Sequence, residues 1–439
     1  MTLLVSQVQG YEENAIERLR LEHQYAASIK EELRLARFVS YVGNKQAPLL
    51  RLYRFKEAFS FDFARTFIRR FRLSEDDYIL DSFMGMGSTL FAAMLEGVDS
   101  IGLDKLPVAA FIAKTIPKFL DVERGSLFET YKKVRSRVSD AELAPVALDV
   151  PLMKTAFNQA TLTRLRKWKT VIDKDLSSPY DDIFRLLFFS ILEATSYTAK
   201  DGQFLRLKPR KQLADPDSAL LEKVREAEED LARIQWFFTR MNSHREHLPQ
   251  ALEDDALDLN NVPFKKQPTC LICSPPYLNR YDYSRSYCLE LCFHFVKNFE
   301  ELKKVRFSIL RSHIESRTEQ GERATHPAII EVLESLNRKD LNNPRIPYMI
   351  TGYFNDMEKV ISQWSHVLAH DAPVAMVIDN VRFEGELIPV DLVLSDIAEK
   401  NGFDVERIIV TRYKGNSSQQ MAKYGRVPVR ESVVVWRRK

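Results

Sequence analysis

Ser274-Pro275-Pro276-Tyr277 follows directly on the apolar run Leu271-Ile272-Cys273. Proline fixes its own backbone and restrains the residue before it, so these four residues read as a stiff, extended turn at a strand end. Proline has no N–H, so the turn presents carbonyl oxygens, one serine hydroxyl and an aromatic ring. That inventory suits a flat group that donates hydrogen bonds. A second stretch, Asp81-Ser-Phe-Met-Gly85-Met-Gly87-Ser-Thr89, sets two glycines where a strand passes into a helix. Gly85 and Gly87 allow a tight turn and close approach of a ligand, and the helix start offers free N–H groups. The next strand ends in Asp104, where a carboxylate can accept bonds from the two hydroxyls of a ribose. No lysine follows the glycines, so this is not a phosphate loop. A nicotinamide dinucleotide fingerprint would need a third glycine where Leu90 stands.

The elements that must position these residues alternate. Strands are expected at Tyr78–Asp81 and Ser100–Asp104, with a helix between them from about Ser88 to Glu96 and another opening near Pro107. Such alternation implies a parallel sheet with right-handed crossovers. From about 123 to 249 only helical periodicity is visible. The α/β pattern then resumes with a strand at Thr269–Cys273 and a helix at about Ser286–Lys297. After an irregular stretch over 300–347 come a helix at Phe354–Leu368, a strand at Val374–Ile378 and a helix at Leu392–Lys400. Two final strands, Asp404–Arg412 and Ser432–Arg437, close the pattern, and residues from about 10 to 36 are expected to form one charged helix. The fold class is therefore α/β, a Rossmann-like doubly wound sheet with a large helical insertion. Its parts are an N-terminal helix (1–36), a first catalytic part (37–122), the insertion (123–249) and a second catalytic part (250–439).

Composition excludes little beyond this. Hydrophobic content of 45% and charged content of 28% are ordinary for a globular chain, and 64 Lys+Arg against 61 Asp+Glu leave a net charge of +3. No run approaches a membrane span and the N-terminus turns polar early, so a cytoplasmic protein without membrane contact is expected. Cys270 and Cys273 stand an odd number of residues apart on a strand and so face opposite ways. Cys288 and Cys292 lie one helical turn apart in an apolar stretch, which suits buried free thiols, and no metal is expected.

The glycine stretch Asp81–Thr89 resembles the D-P-F-x-G-S-G-T motif of DNA amino-methyltransferases, and Ser274-Pro275-Pro276-Tyr277 resembles their catalytic [DNS]-P-P-[YFW] motif. In that family a leading serine is typical of enzymes acting on cytosine N4. Leu52–Ser60 is similar to the motif that closes over the methionine end of the cofactor, and Asp255-Ala256 to the acidic motif near its adenine. The motif order is gamma-like. Ser82 stands where the family has proline and Met86 where it has serine. The resemblance implies S-adenosyl-L-methionine as cofactor, held by Tyr53, Asp81, Phe83, Gly85, Gly87, Thr89, Asp104 and Asp255. It implies Ser274, Pro275, Pro276 and Tyr277 as the catalytic residues. The exocyclic amine of cytosine is a poor nucleophile because its lone pair is delocalised into the ring. Bonds from its two N–H groups to Ser274 Oγ and the Pro275 carbonyl would favour a pyramidal nitrogen, with Tyr277 stacked on the base.

A base inside a duplex cannot reach such a turn, so double-stranded DNA would bind with the target base flipped out. Lys200, Gln203 and Arg206, around a glycine in the insertion, are candidate DNA readers. Arg311, in the competing segment 300–347, is another, and Tyr281 is a candidate lid residue. The family further implies a restriction–modification role with a cognate endonuclease as partner. Adenine N6 methylation, methylation of an RNA amine, and a DNA-recognition protein without catalysis remain alternatives at this point.

Overall fold

A computed structural model of the chain describes residues 11, 15–201, 204–241, 247–415, 423–425 and 427–439. The strands among them are β1 (Ile29–Glu31), β2 (Tyr78–Asp81), β3 (Asp99–Asp104), β4 (Thr198–Asp201), β5 (Phe204–Leu207) and β6 (Gln250–Glu253). These are followed by β7 (Cys270–Cys273), β8 (Pro373–Asp379), β9 (Val381–Phe383), β10 (Glu386–Ile388), β11 (Phe403–Lys414) and β12 (Val429–Arg438). Eight of them form one sheet in the order β1-β11-β12-β8-β7-β2-β3-β6. From β6 across to β8 every pair is parallel, β12 is antiparallel to both its neighbours, and β1 joins β11 in parallel.

Every residue of β2, β7 and β8 is buried, as expected of apolar strands covered on both faces. Alternation along β7 divides two cores. Cys270 and Ile272 pack with Phe63, Phe67, Ala92 and Ala93, from the helices Phe61–Arg70 and Ser88–Glu96. Leu271 and Cys273 pack on the other face with the helices Pro327–Leu336, Ile346–Val367 and Val390–Lys400. The odd spacing of the two cysteines does place them on opposite sides.

From β2 the chain moves outward to β3 and β6, then returns to β7 on the other side of β2 and continues to β8. The β2/β7 boundary is thus a topological switch point, where open α/β sheets form a crevice beyond the carboxyl ends of their strands. Those ends deliver, side by side, Asp255 after β6, Asp104 from β3, the glycine turn after β2, Ser274 after β7 and Asp379 from β8.

Several elements differ from expectation. The N-terminal segment is not one helix: it holds a helix at Ile16–Tyr25, then β1, then a 3-10 turn at Leu33–Arg37. Pairing of Ile29 with Ile408 in β11 overrides the local helical preference. Between β3 and β6 run the helices Pro107–Thr115, Ser126–Arg135, Gln159–Asp175, Tyr180–Leu192 and Pro216–Met241. They are interrupted by an antiparallel ribbon, β4–β5, that helical periodicity did not anticipate. These helices bury Leu127, Trp168, Phe188 and Leu231 in one core with Leu52, Tyr53, Ile112 and Phe293, so they pack directly onto the segments around the glycine turn. The helix expected over Ser286–Lys297 is broken into Tyr283–Ser286, Cys288–Glu290 and a π turn at Leu291–Phe295. The stretch expected to be irregular contains helices at Phe299–Ser308 and Pro327–Leu336, opened by Asn298 and His326 caps.

Candidate active site at the switch point

The glycine turn is set by Asp104. One of its carboxylate oxygens accepts the Gly85 N–H at 2.9 Å and the other the Leu106 N–H at 2.8 Å. Gly85 (φ 54°) and Gly87 (φ 87°) lie in the left-handed region, and Gly87 caps the helix Ser88–Glu96. A Cβ on Gly85 would meet the Phe55 ring at 3.2 Å, so ring and turn approach as closely as a residue without a side chain permits. Ser82, in place of the family's proline, has a job of its own: its Oγ accepts the indole N–H of the buried Trp364 at 3.0 Å. Thr89 Oγ1 donates to the Ile272 carbonyl at 3.4 Å, tying the turn to β7. Burial pushes the Asp81 carboxyl up to about 7 and the Asp104 carboxyl up to about 6, in each case against the hydrogen bonds that the group accepts.

Two clefts meet here. The first is lined by Phe55, Phe83, Gly85, Asp104, Asp255 and Leu257, among others. The second is lined by Pro275, Tyr277, Asn279, Asp379, Arg412, Lys414 and Glu431, among others. Ser274, Glu57 and Tyr283 belong to both and form the wall between them. Ser274 Oγ donates its proton to the Val377 carbonyl of β8 at 3.3 Å, which leaves its lone pairs to accept. The first cleft suits a nucleoside-containing cofactor. Asp104 and Asp255 can accept hydroxyl or amine protons, while Phe55, Phe83 and Leu257 offer apolar cover to a flat ring. Among the described residues no group of three or more His, Cys, Asp or Glu side chains is arranged to hold a metal ion, and no helix is long and apolar enough to cross a membrane.

Comparison with known proteins shows the family of the chain. The type II methyltransferase M.BsoBI of Geobacillus stearothermophilus is 32% identical over 476 residues, taking in 96% of this chain and 92% of the relative. The type II methyltransferases M.AvaI of Nostoc sp. and of Anabaena variabilis are each 32% identical over 462 residues, with 95% of this chain and 92% of the relative covered. No family model matches the chain. The chain belongs to the type II methyltransferases.

Of the residues that sequence singled out in this methyltransferase, Phe83, Gly85, Asp104, Asp255, Ser274, Pro275, Pro276 and Tyr277 all line one cleft or the other. Asp81, Gly87 and Thr89 lie behind them as the frame of the turn. Tyr53 stands elsewhere: it is buried, donates to Glu290 Oε1 at 2.5 Å and lies outside both linings, where Phe55 and Glu57 from the same segment appear instead. Phe55 stacks on Tyr287 with ring centroids 4.7 Å apart, which anchors that segment.

The candidate DNA readers separate sharply. Lys200 is buried, pairs with Glu290 at 2.9 Å and lies over the Tyr53 and Tyr287 rings. Arg311 is 1% exposed and is held by Asp356 and Glu322. Neither presents its charge to solvent. Arg206, on β5, is 59% exposed and stands 4.0 Å from Asp201. Gln203 lies outside the described residues. Tyr281 is buried with its ring 4.9 Å from Tyr283, and it is Tyr283 that reaches the wall of the clefts. Sequence reasoning missed Glu57, Asp379, Arg412, Lys414 and Glu431. Glu57 stood within a stretch already noted; the others are charges at the ends of late strands, with no local signal.

Proposed function

We propose that this methyltransferase acts on double-stranded DNA and transfers a methyl group from S-adenosyl-L-methionine to cytosine N4 within a restriction–modification system. The single observation that carries the reading is Ser274 on the wall shared by two clefts. A cofactor on one side and a flipped base on the other would meet at its hydroxyl.

S-adenosyl-L-methionine, when bound, supplies a methyl group already activated as a sulfonium. The residues that would hold it are Asp104 and Asp255, through their carboxylates, the backbone at Gly85, and the apolar side chains Phe55, Phe83 and Leu257. Ser274 Oγ accepts a hydrogen bond from one amine N–H of the base, its own O–H donating to the Val377 carbonyl. The Pro275 carbonyl accepts the other, which localises the lone pair on N4 and aims it across the wall. The prolines hold both acceptors rigidly, so little reorganisation is needed as the bond forms. Glu57, on the same wall, is pushed above its usual range by burial and lies within reach of Tyr281. Tyr277 provides an aromatic face for the base. Serine as the leading residue of this turn favours cytosine over adenine.

The test is polymerase-kinetic sequencing of DNA from a methylation-free host that expresses the chain. N4-methylcytosine at one sequence motif, absent with Ser274→Ala, is expected. N6-methyladenine at that motif would reject the cytosine assignment and keep the reaction class.

A further inference from the structure

The second cleft holds more charge than methyl transfer requires. Asp379 ends β8, Glu431 stands opposite it on β12, and Arg412 stands opposite Glu431 on β11, so three adjacent strands bring their ionic groups to one place. Lys414 Nζ lies 3.0 Å from Asp379 Oδ2 and 2.5 Å from Glu431 Oε1, and Arg412 pairs with the other oxygen of Glu431. Each of these four groups thus has a partner, and both oxygens of Glu431 are engaged. Asp379 is 9% exposed, yet its Oδ1 has no hydrogen-bond partner among the described residues. A buried carboxyl oxygen left unpaired carries an uncompensated desolvation cost, so in a cleft it marks a place where a ligand completes the bonding.

The amine of a flipped base is served by Ser274 and Pro275. What lies beyond the amine depends on the base. Cytosine presents two acceptors in succession, N3 and then O2. Adenine presents one acceptor, N1, and then a C–H. Guanine presents a donor, N1–H, beside its amine. A cleft that offers two donors in succession therefore fits cytosine alone.

Resting on the cytosine reading above, we infer that Asp379 and Lys414 select the base, the Asp379 carboxyl donating through Oδ1 to N3 and the Lys414 ammonium to O2. Burial, opposed by Lys414 and reinforced by Glu431, pushes the Asp379 carboxyl up to about 7, so the protonated, donating form is populated alongside the ionised one at neutral pH. Adenine would strip Lys414 of water and face it with a C–H. Lys414 Nζ also stands 5.6 Å from the Tyr277 ring centroid, so the cation and the aromatic face of the turn share one chamber.

The experiment uses the full chain and a duplex carrying the site it methylates, with cytosine, 3-deazacytosine (which lacks N3) or adenine at the target. Single-turnover rates, duplex affinity and S-adenosylhomocysteine binding are measured for wild type, Asp379→Ala, Asp379→Asn and Lys414→Met. 3-Deazacytosine should lower wild-type kcat/KM on the order of 10–100-fold. Asp379→Ala should lose a similar factor on cytosine and no longer distinguish the two pyrimidines. Asp379→Asn, whose amide can donate, should keep most of the rate and the distinction. Lys414→Met should raise the acceptance of adenine relative to cytosine by about tenfold or more. Persistence of the 3-deazacytosine penalty in Asp379→Ala would overturn the inference, as would an unchanged base ratio in Lys414→Met. If Asp379→Ala fails to bind S-adenosylhomocysteine it has not folded, and the Lys414→Met ratio decides. Wild type that forms no N4-methylcytosine would instead sink the cytosine reading itself.

Discussion

Asp104 holds the turn that lines the first cleft, the proposed cofactor site, and Asp104→Asn tests that proposal directly. The carboxylate accepts two backbone N–H groups, one on each oxygen, at 2.9 and 2.8 Å. An asparagine side chain has one acceptor oxygen, so its NH2 group must face either the Gly85 or the Leu106 N–H. One hydrogen bond to a charged group is lost, worth about 1.5–3 kcal/mol, and a buried N–H is left without a partner. Gly85 holds φ 54° against the Phe55 ring, so relaxation of this turn disturbs the cleft itself. S-adenosylhomocysteine should bind on the order of 10–150-fold more weakly, the same energy expressed as an affinity. The loss grows further where the carboxylate also accepts ribose hydroxyls.

Acidity adds a second signature. Burial pushes the Asp104 carboxyl up to about 6, and hydroxyl donors from a bound nucleoside favour the ionised form and bring it down again. Binding then releases a proton. Wild-type affinity should hold above about pH 6 and fall as pH drops below it, by at most about tenfold per unit. In the asparagine variant that slope should flatten. Calorimetric titration between pH 5 and 8, with a urea melt to establish folding, gives both quantities. An asparagine variant that binds within twofold of wild type at pH 7.5 would show that the two bonds to Asp104 do not set the cleft.

Other expectations follow from the same geometry. Ser274→Ala should lower kcat by on the order of 10²–10³ while S-adenosylhomocysteine binding stays within twofold, because it removes an acceptor for the amine and nothing from the cofactor's carboxylate and ring contacts. Arg206→Ala should leave thermal stability unchanged and reduce the salt dependence of DNA binding by about one phosphate contact, measured by fluorescence anisotropy at several salt concentrations. Arg311→Ala should do the reverse: it strands Asp356 and Glu322 and should cost about 3–5 kcal/mol in urea unfolding. Without cofactor, the Asp81 and Asp104 carboxyls should each make stability fall as pH rises from about 4 to 7, against the opposite contribution of the His294 imidazole, which burial pushes down to about 4. The folded Asp81 and Asp104 carboxyls hold their protons up to about 7 and about 6, above the ordinary carboxylate range, so in that window the native state binds more protons at these two groups than the unfolded chain does.

Much of the sheet was legible because its central strands announce themselves. Tyr78–Asp81 and Cys270–Cys273 are short apolar runs followed at once by turn residues, and the glycines and prolines mark where each strand must stop. The first cleft could be anticipated for the same reason, since the strand ends bring those motifs together. The charges could not be sorted this way. Lys200 and Arg311 looked like readers of DNA, but Glu290, the partner of Lys200, stands 90 residues away and Asp356, the more deeply buried partner of Arg311, 45, and a sequence does not say whether a cation has been neutralised. The acidic and basic set of the second cleft was hidden for a related reason. Asp379, Arg412, Lys414 and Glu431 come from three strands whose adjacency depends on β12 inserting antiparallel between β8 and β11. In the region over 300–347, Asn298 three residues before Glu301 was an available helix-start signal for the segment Phe299–Ser308. At the N-terminus, the exchange of helix for β1 is decided by the edge of β11, which no local pattern reveals.

The proposed role of Ser274 is to present a cytosine amine to a methyl donor. Its most direct test is mass spectrometry of nucleosides from unmethylated plasmid incubated with purified protein and S-adenosyl-L-methionine. N4-methylcytosine that disappears when Ser274 is replaced by alanine is the predicted result. N6-methyladenine, or no methylated nucleoside from a protein that binds the cofactor, would contradict it.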